Sequence, residues 1–206
     1  MTNHFQRILH QLRNLGFLLE SDPNLPSVCT LITREPLKTS WWSHPMAQII
    51  FQVNEQLDDH KDVLITKLVS GKVTFVHRKL WPEILAIGVS REPWQLKNLS
   101  NRARWLLQTI DERGSVTTDE LPTPPSGKAK VGELARELEK KLLIHGAQVH
   151  TKSGAHAKVL ETWPHWARRI GFKSPKLNTA VAKEVLETLL LELNQKCAAF
   201  AKLPWQ

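Results

Sequence analysis

Apolar residues recur every three to four positions over much of this chain, and in two places the period shortens to two. Phe5, Ile8, Leu9, Leu12 and Leu15 fall on one helical face over residues 4–19, with Thr2 or Asn3 as cap and Gly16 weakening the end. Ser21 to Pro26 reads as a turn, residues 27–34 as a short helix stopped by Pro36, and Pro45 as the start of a helix reaching about Leu57. Ala47, Ile50, Phe51 and Leu57 mark the buried face of that helix. Val63–Val69 and Lys72–His77 are β-branched and partly alternating, and Ser70-Gly71 between them predicts a hairpin. A helix with Pro82 in its first turn and Ile84, Leu85 and Ile87 inward follows, then a linker over 91–98.

The second half repeats this order. Ser100 caps a helix carrying Ala103, Leu106, Leu107 and Ile110 and ending at Gly114. Ser115–Thr117 is extended, and Pro122–Lys130 is a basic loop rich in helix breakers. Val131, Leu134, Ala135, Leu138 and Leu142 form a helical stripe. Ala147–Thr151 and His156–Leu160 then flank a second turn. Ser174 as cap and Pro175 as first residue open a C-terminal helix whose face is Val181, Val185, Leu186, Leu189, Leu190 and Leu193.

The two hairpins echo one another. Each has a Lys shortly before Ser-Gly, a basic second strand and then Trp-Pro, at Trp81-Pro82 and Trp163-Pro164. A nearly constant offset is what one supersecondary unit used twice would leave. The predicted fold is therefore mainly α with small β-hairpins (α+β): a unit over 1–95, a second over 99–170, and a bracing helix over 174–203 packing on both.

Helix, short strand, helix and two-stranded wing is the order of the winged helix-turn-helix family. Residues 100–162 resemble it through Leu134-Ala-Arg-Glu-Leu-Glu-Lys-Lys-Leu-Leu-Ile144 leading into a hairpin; residues 45–78 resemble it less. Tandem winged helices also resemble the architecture of a bacterial DNA-crosslink glycosylase family, but no catalytic motif of that family is matched residue by residue. The winged-helix resemblance implies a helix in the major groove and a wing on the backbone or minor groove. The cations it places there are Lys128, Lys130, Arg136 and Lys140 near the helix and Lys152, His156 and Lys158 on the wing, with Lys72 and Arg78 at the first hairpin. Glu133, Glu137 and Glu139 share that helix and argue against a sequence-specific reader, since carboxylates repel phosphates.

Charge strengthens the nucleic-acid reading. The 206 residues carry a net +8, which favours polyanions. No apolar run approaches the ~18 residues that span a bilayer, and the N-terminus lacks a secretory pattern. The expectation is a cytoplasmic protein without a membrane partner, its two cysteines, Cys29 and Cys197, reduced.

Eight tryptophans without a tyrosine are unusual. Trp41, Trp42 and His44, with Lys67 and His77, form a possible pocket in the first unit. Lys67 shares parity with Ile65 and Val69, so it either points into an apolar face with a lowered pKa or snorkels to the rim. The Trp pair either plugs the core or, if exposed, stacks on an unpaired base. Asp58, Asp59, His60 and Asp62 read as a solvated turn. Gly-rich phosphate loops, His-Glu-x-x-His, Gly-x-Ser-x-Gly and metal-ligand spacings are absent, so neither a cofactor nor a metal is expected. The leading reading is a DNA-binding protein of non-specific or structure-dependent type. The alternatives are a glycosylase-like DNA-repair enzyme using the Trp/His/Lys group, and an adaptor whose wings face another protein.

Overall fold

The computed structural model describes residues 4–37, 39–121, 130–150, 156–173 and 175–206. The described residues are mixed α+β, with helices around two small antiparallel three-stranded sheets. The chain divides into two compact units: residues 1–83 with 180–204 and Gln206, and residues 84–179 with Trp205.

In the first unit, α1 (His4–Leu15) leads through Gly16 into β1 (Phe17–Leu19), followed by α2 (Val28–Thr33), α3 (Ala47–Asp58), β2 (Val63–Thr66) and β3 (Thr74–His77). β3 lies between the other two strands, in the order β1-β3-β2. The core draws Ile8, Leu9 and Leu12 from α1, Val28, Cys29 and Ile32 from α2, Ile50, Val53 and Leu57 from α3, and Leu18 and Phe75 from the sheet. α2 is only six residues long and depends on its cap. Ser27 Oγ accepts from the Thr30 N–H at 3.1 Å, and Thr30 Oγ1 accepts from the Ser27 N–H at 3.0 Å.

The second unit runs α4 (Trp81–Gly88, whose first three residues belong to the first unit), α5 (Pro93–Leu96), α6 (Asn101–Arg113), β4 (Ser115–Thr117), α7 (Val131–Lys140), β5 (His145–His150), β6 (His156–Glu161) and α8 (Trp163–Arg169). Its sheet order, β4-β6-β5, repeats that of the first: an early short strand pairs with the last strand of the hairpin. Ser100 caps α6 by accepting from the Ala103 N–H at 3.1 Å, as its sequence predicts. Leu106, Ile110, Leu134, Leu138, Ile144 and Leu160 are buried in one core. The last helix, α9 (Thr179–Cys197), lies with the first unit from Ala180 on.

Several expectations are corrected. β1 was not foreseen, because three apolar residues after a helix carry no period of their own. Ser70-Gly71 does form a tight turn, with φ of 52° and 66° and the Lys72 N–H donating to the Val69 carbonyl at 3.0 Å. The ladder, however, stops at the Thr66–Thr74 pair, so Lys67 and Lys72 lie in the connection and not in strands. Here Thr74 Oγ1 accepts the Val69 N–H at 3.2 Å, doing the work of a ladder bond. α7 ends at Lys140, and Leu142 is buried with φ 52° beyond it. α9 begins at Thr179 and not at Pro175; Ser174 lies outside the described residues, as do Thr2 and Asn3. Phe51 and Val181, expected inside, are exposed. The Asp58–Asp62 turn holds an Asp62–Arg78 ion pair at 3.6 Å, and the described residues contain no metal-binding cluster. Both cysteines are free, and burial pushes the Cys29 thiol up to about 11.

The echoed tryptophans have equivalent roles. Trp81 and Trp163 are buried, each opens a helix with proline next, and each indole N–H reaches a carbonyl: Trp81 that of Val76 at 3.2 Å, Trp163 that of Leu142 at 2.8 Å. Gly88 faces the Trp163 indole so closely that any Cβ would overlap the ring. Gly88→Ala is expected to cost about 1–3 kcal/mol by overpacking, read as a lower urea midpoint at unchanged slope.

Candidate nucleic-acid interface

The exposed face of α7 carries Lys130 at its N-cap and then Glu133, Arg136, Glu137 and Lys140. Each of the three glutamates of this helix is answered by the protein. Glu133 accepts the Lys130 backbone N–H at 3.0 Å. Glu137 accepts both the N–H and the hydroxyl of Ser100, at 3.0 and 3.1 Å, and so helps cap α6. Glu139 is buried and pairs with Lys158 of β6 at 2.8 Å. Arg136 and Lys140, four residues apart on one side of the helix, are exposed and make no ion pair with any described residue.

The other predicted cations divide. Lys158 is half-buried and spent on Glu139, so it ties the hairpin to α7 and is not a free phosphate ligand. Lys72 pairs with Asp22 at 2.6 Å. Burial would raise the Asp22 pKa, but the Leu25 and Asn24 N–H groups and Lys72 hold it below its usual value. Arg78 pairs with Asp62 and lies 5.6 Å above the Trp81 ring. Lys128, Lys152 and the side chain of His156 lie outside the described residues.

The base of the second hairpin is fixed by a fully buried carboxylate that sequence reasoning missed. Glu161, the last residue of β6, accepts from His145 Nδ1 at 3.2 Å, from His165 Nδ1 at 2.9 Å, and from Arg169 through Nη2 at 2.6 Å and Nε at 3.1 Å. His145 starts β5, while His165 and Arg169 lie on α8, so one side chain joins two strands and a helix. Burial acts to raise the Glu161 pKa, but hydrogen bonds from His145, Arg169 and His165 outweigh it and bring it down to about 2. The available signal was the alternation Ala157, Val159, Glu161, which aims a charge from the parity of apolar neighbours.

The Trp/His/Lys group of the first unit is only partly assembled. Trp41 is buried and Trp42 is stacked on it at 3.9 Å between ring centroids. His44 lies 3.6 Å from Glu35 and accepts the Met46 N–H at 3.1 Å. Lys67 is half-buried rather than sunk in an apolar face, and its charge acts on Glu20. His77 belongs elsewhere, three residues along β3 from Thr74, about 10 Å at strand spacing. Burial lowers its pKa against the pull of Asp62, with Lys79 and Arg13 adding to the drop, so it is neutral at pH 7.

What gathers instead is Glu20, also missed. Its carboxylate accepts from Asn54 Nδ2 at 3.3 Å and from the Trp41 side chain. Burial raises its pKa, opposed by the Trp41 bond and by Lys67. A partly buried carboxyl with a raised pKa among an indole, an amide and an ammonium is a candidate for acid–base work. The sequence signal was an acidic residue directly after the apolar triplet Phe17-Leu18-Leu19.

Two units of matching topology, one with exposed cations on the helix that feeds its hairpin and the other with a partly buried carboxyl, make up this basic α+β protein. A family model described as AlkZ related matches residues 2–203, nearly the whole chain, and the protein belongs to that family. No curated protein and no solved structure matches the chain. None of the helices among the described residues is long and apolar enough to cross a membrane.

The folded-state pKa of Glu161 lies below its unfolded value of 4.5, so its contribution to stability is full above that value and is lost as pH falls toward about 2. The loss is expected to be about 3 kcal/mol. Urea unfolding between pH 5 and pH 2 should show it in the native protein and a flatter profile in Glu161→Gln, which is already destabilised at pH 5 because His145, His165 and Arg169 lose their anion.

Proposed function

We propose that this protein binds DNA through backbone phosphates, without a fixed target sequence, using two winged-helix units of which the second supplies the main contact. The winged-helix reading is supported by the element order of each unit and by the strand order, first-third-second, that both sheets share. The DNA reading is supported by family membership, AlkZ being a DNA-repair, crosslink-glycosylase-like protein, and by the net charge of +8. The observation that carries it is the state of α7. Its glutamates are hydrogen-bonded within the protein, Glu133 to the Lys130 N–H, Glu137 to Ser100 and Glu139 to Lys158, while Arg136 and Lys140 stand exposed on the same helix with no ion pair to a described residue. That face offers cations but none of the Asn, Gln, Ser or Thr side chains commonly used at base edges, and its glutamates repel phosphates except where one meets a cytosine amino group, which favours phosphate contact over sequence readout.

The test is fluorescence anisotropy with a labelled duplex across a salt series. The double variant Arg136→Ala/Lys140→Ala is expected to bind more weakly at low salt and to flatten the log–log salt dependence by about 1.8, at roughly 0.9 per phosphate contact. Absence of binding by the native protein at low salt would sink the proposal.

A second reading, favoured by Glu20, is a repair enzyme of glycosylase type. A carboxyl with a raised pKa can activate water for attack on a glycosidic carbon. In this reading Glu20→Gln lowers release of an alkylated base from DNA by about 10²-fold or more while duplex affinity stays within about twofold of the native value, set by the conserved shape and lost charge alone. Base release at native rate by the variant would exclude Glu20 from the chemistry.

A further inference from the structure

We infer that the Trp41–Trp42 stack, bordered by Phe51, is a stacking site for an unpaired nucleobase of single-stranded or locally opened DNA. The inference rests on the DNA-binding reading and adds a second, separate contact in the first unit.

Trp42 is 63% exposed although its inner face lies flat on Trp41, 23° from parallel. The outer face of an indole is therefore presented to solvent, a costly arrangement unless something flat covers it. The platform is held in place from beneath. Trp41 is buried and donates to the Glu20 carboxylate. The turn carrying both rings is closed by the Ser43 hydroxyl donating to the Ser40 carbonyl at 2.9 Å and by the His44 N–H donating to the Trp41 carbonyl at 3.1 Å. Phe51, 43% exposed, borders Trp42 at 5.9 Å and 43°.

The size and rim of the patch select its occupant. Two rings of about 150–250 Å² each fall well short of the ~1,000 Å² that a protein partner needs. Gln48 and Gln52, exposed on α3 three residues before and one residue after Phe51, supply amide donors and acceptors on the helix that carries the patch's third ring. A flat heteroaromatic ring with hydrogen-bonding edges fits both features, and in a chain of net charge +8 its backbone is an anionic one.

The experiment compares a duplex with the same duplex carrying a central bubble of unpaired thymines, in one anisotropy titration at fixed low salt. The native protein is expected to hold the bubble more tightly. Trp42→Ala should weaken bubble binding by about 5- to 150-fold and leave duplex binding unchanged, while Trp42→Phe should keep most of the preference. Trp42 is exposed, so a native circular dichroism spectrum and melting point are expected for both variants. Duplex binding without any preference for the bubble, or a preference that survives Trp42→Ala, overturns the stacking site and leaves the phosphate reading standing. Failure to bind either probe overturns both. An equal loss on both probes also overturns the site, since base stacking cannot act on a closed duplex.

Discussion

A carboxylate removed from water must be answered by the protein around it, and the second unit is arranged by that demand. Glu161 has no exposed surface, and its oxygens are met by two imidazoles and a guanidinium drawn from β5 and α8. That set joins the hairpin base to α8 beside the buried rings of Trp163 and Trp166, which pack against His145. Acids also link the neighbouring elements. Glu139 brings Lys158 of the hairpin against α7, and Glu137 ties α7 to the cap of α6. The elements of this unit are thus joined by acids as much as by their apolar faces, and the cations left outward are those no acid claims.

The two units share a strand order but not a surface. In the first, the hairpin tip is covered by the chain's own C-terminal segment: the Ser70 N–H donates to the Lys202 carbonyl at 2.7 Å, and the Lys202 N–H donates to Ser70 Oγ at 3.2 Å. Its lysine is spent on Asp22. The second hairpin has six-residue strands against four and lies beside exposed cations. A shared topology therefore carries two different sets of side chains, a partly buried carboxyl with aromatic rings in one unit and a cationic helix in the other.

Much of the fold was legible because it rests on local signals. Ser100, Pro82 and the stripe of α7 act within a turn or two of chain, and each helix they predict is present, whereas α8 was not predicted. β1 was not legible, since Phe17-Leu18-Leu19 is a strand only because β3 lies beside it. The strand end at Thr66 depends on Thr74 supplying a side-chain bond from across the turn. The site was read less well for the same reason. Lys72, Arg78 and Lys158 look alike in sequence to Arg136 and Lys140, and only the folded chain shows that an acid lies against each of the first three. Glu20 and Glu161 were passed over because partners such as Asn54 and His145 are 34 and 16 residues away.

That distinction changes what the net charge means. A formal +8 invites the view of a chain coated in interchangeable cations. Folding pairs Lys72, Arg78, Arg91, Lys158 and Arg169 with acids. Each such pair is neutral at a distance and contributes little to the field a phosphate chain meets, whereas an unclaimed Arg136 acts at full strength within a Debye length of about 8–10 Å. Affinity then depends on where the surplus falls and not on its sum.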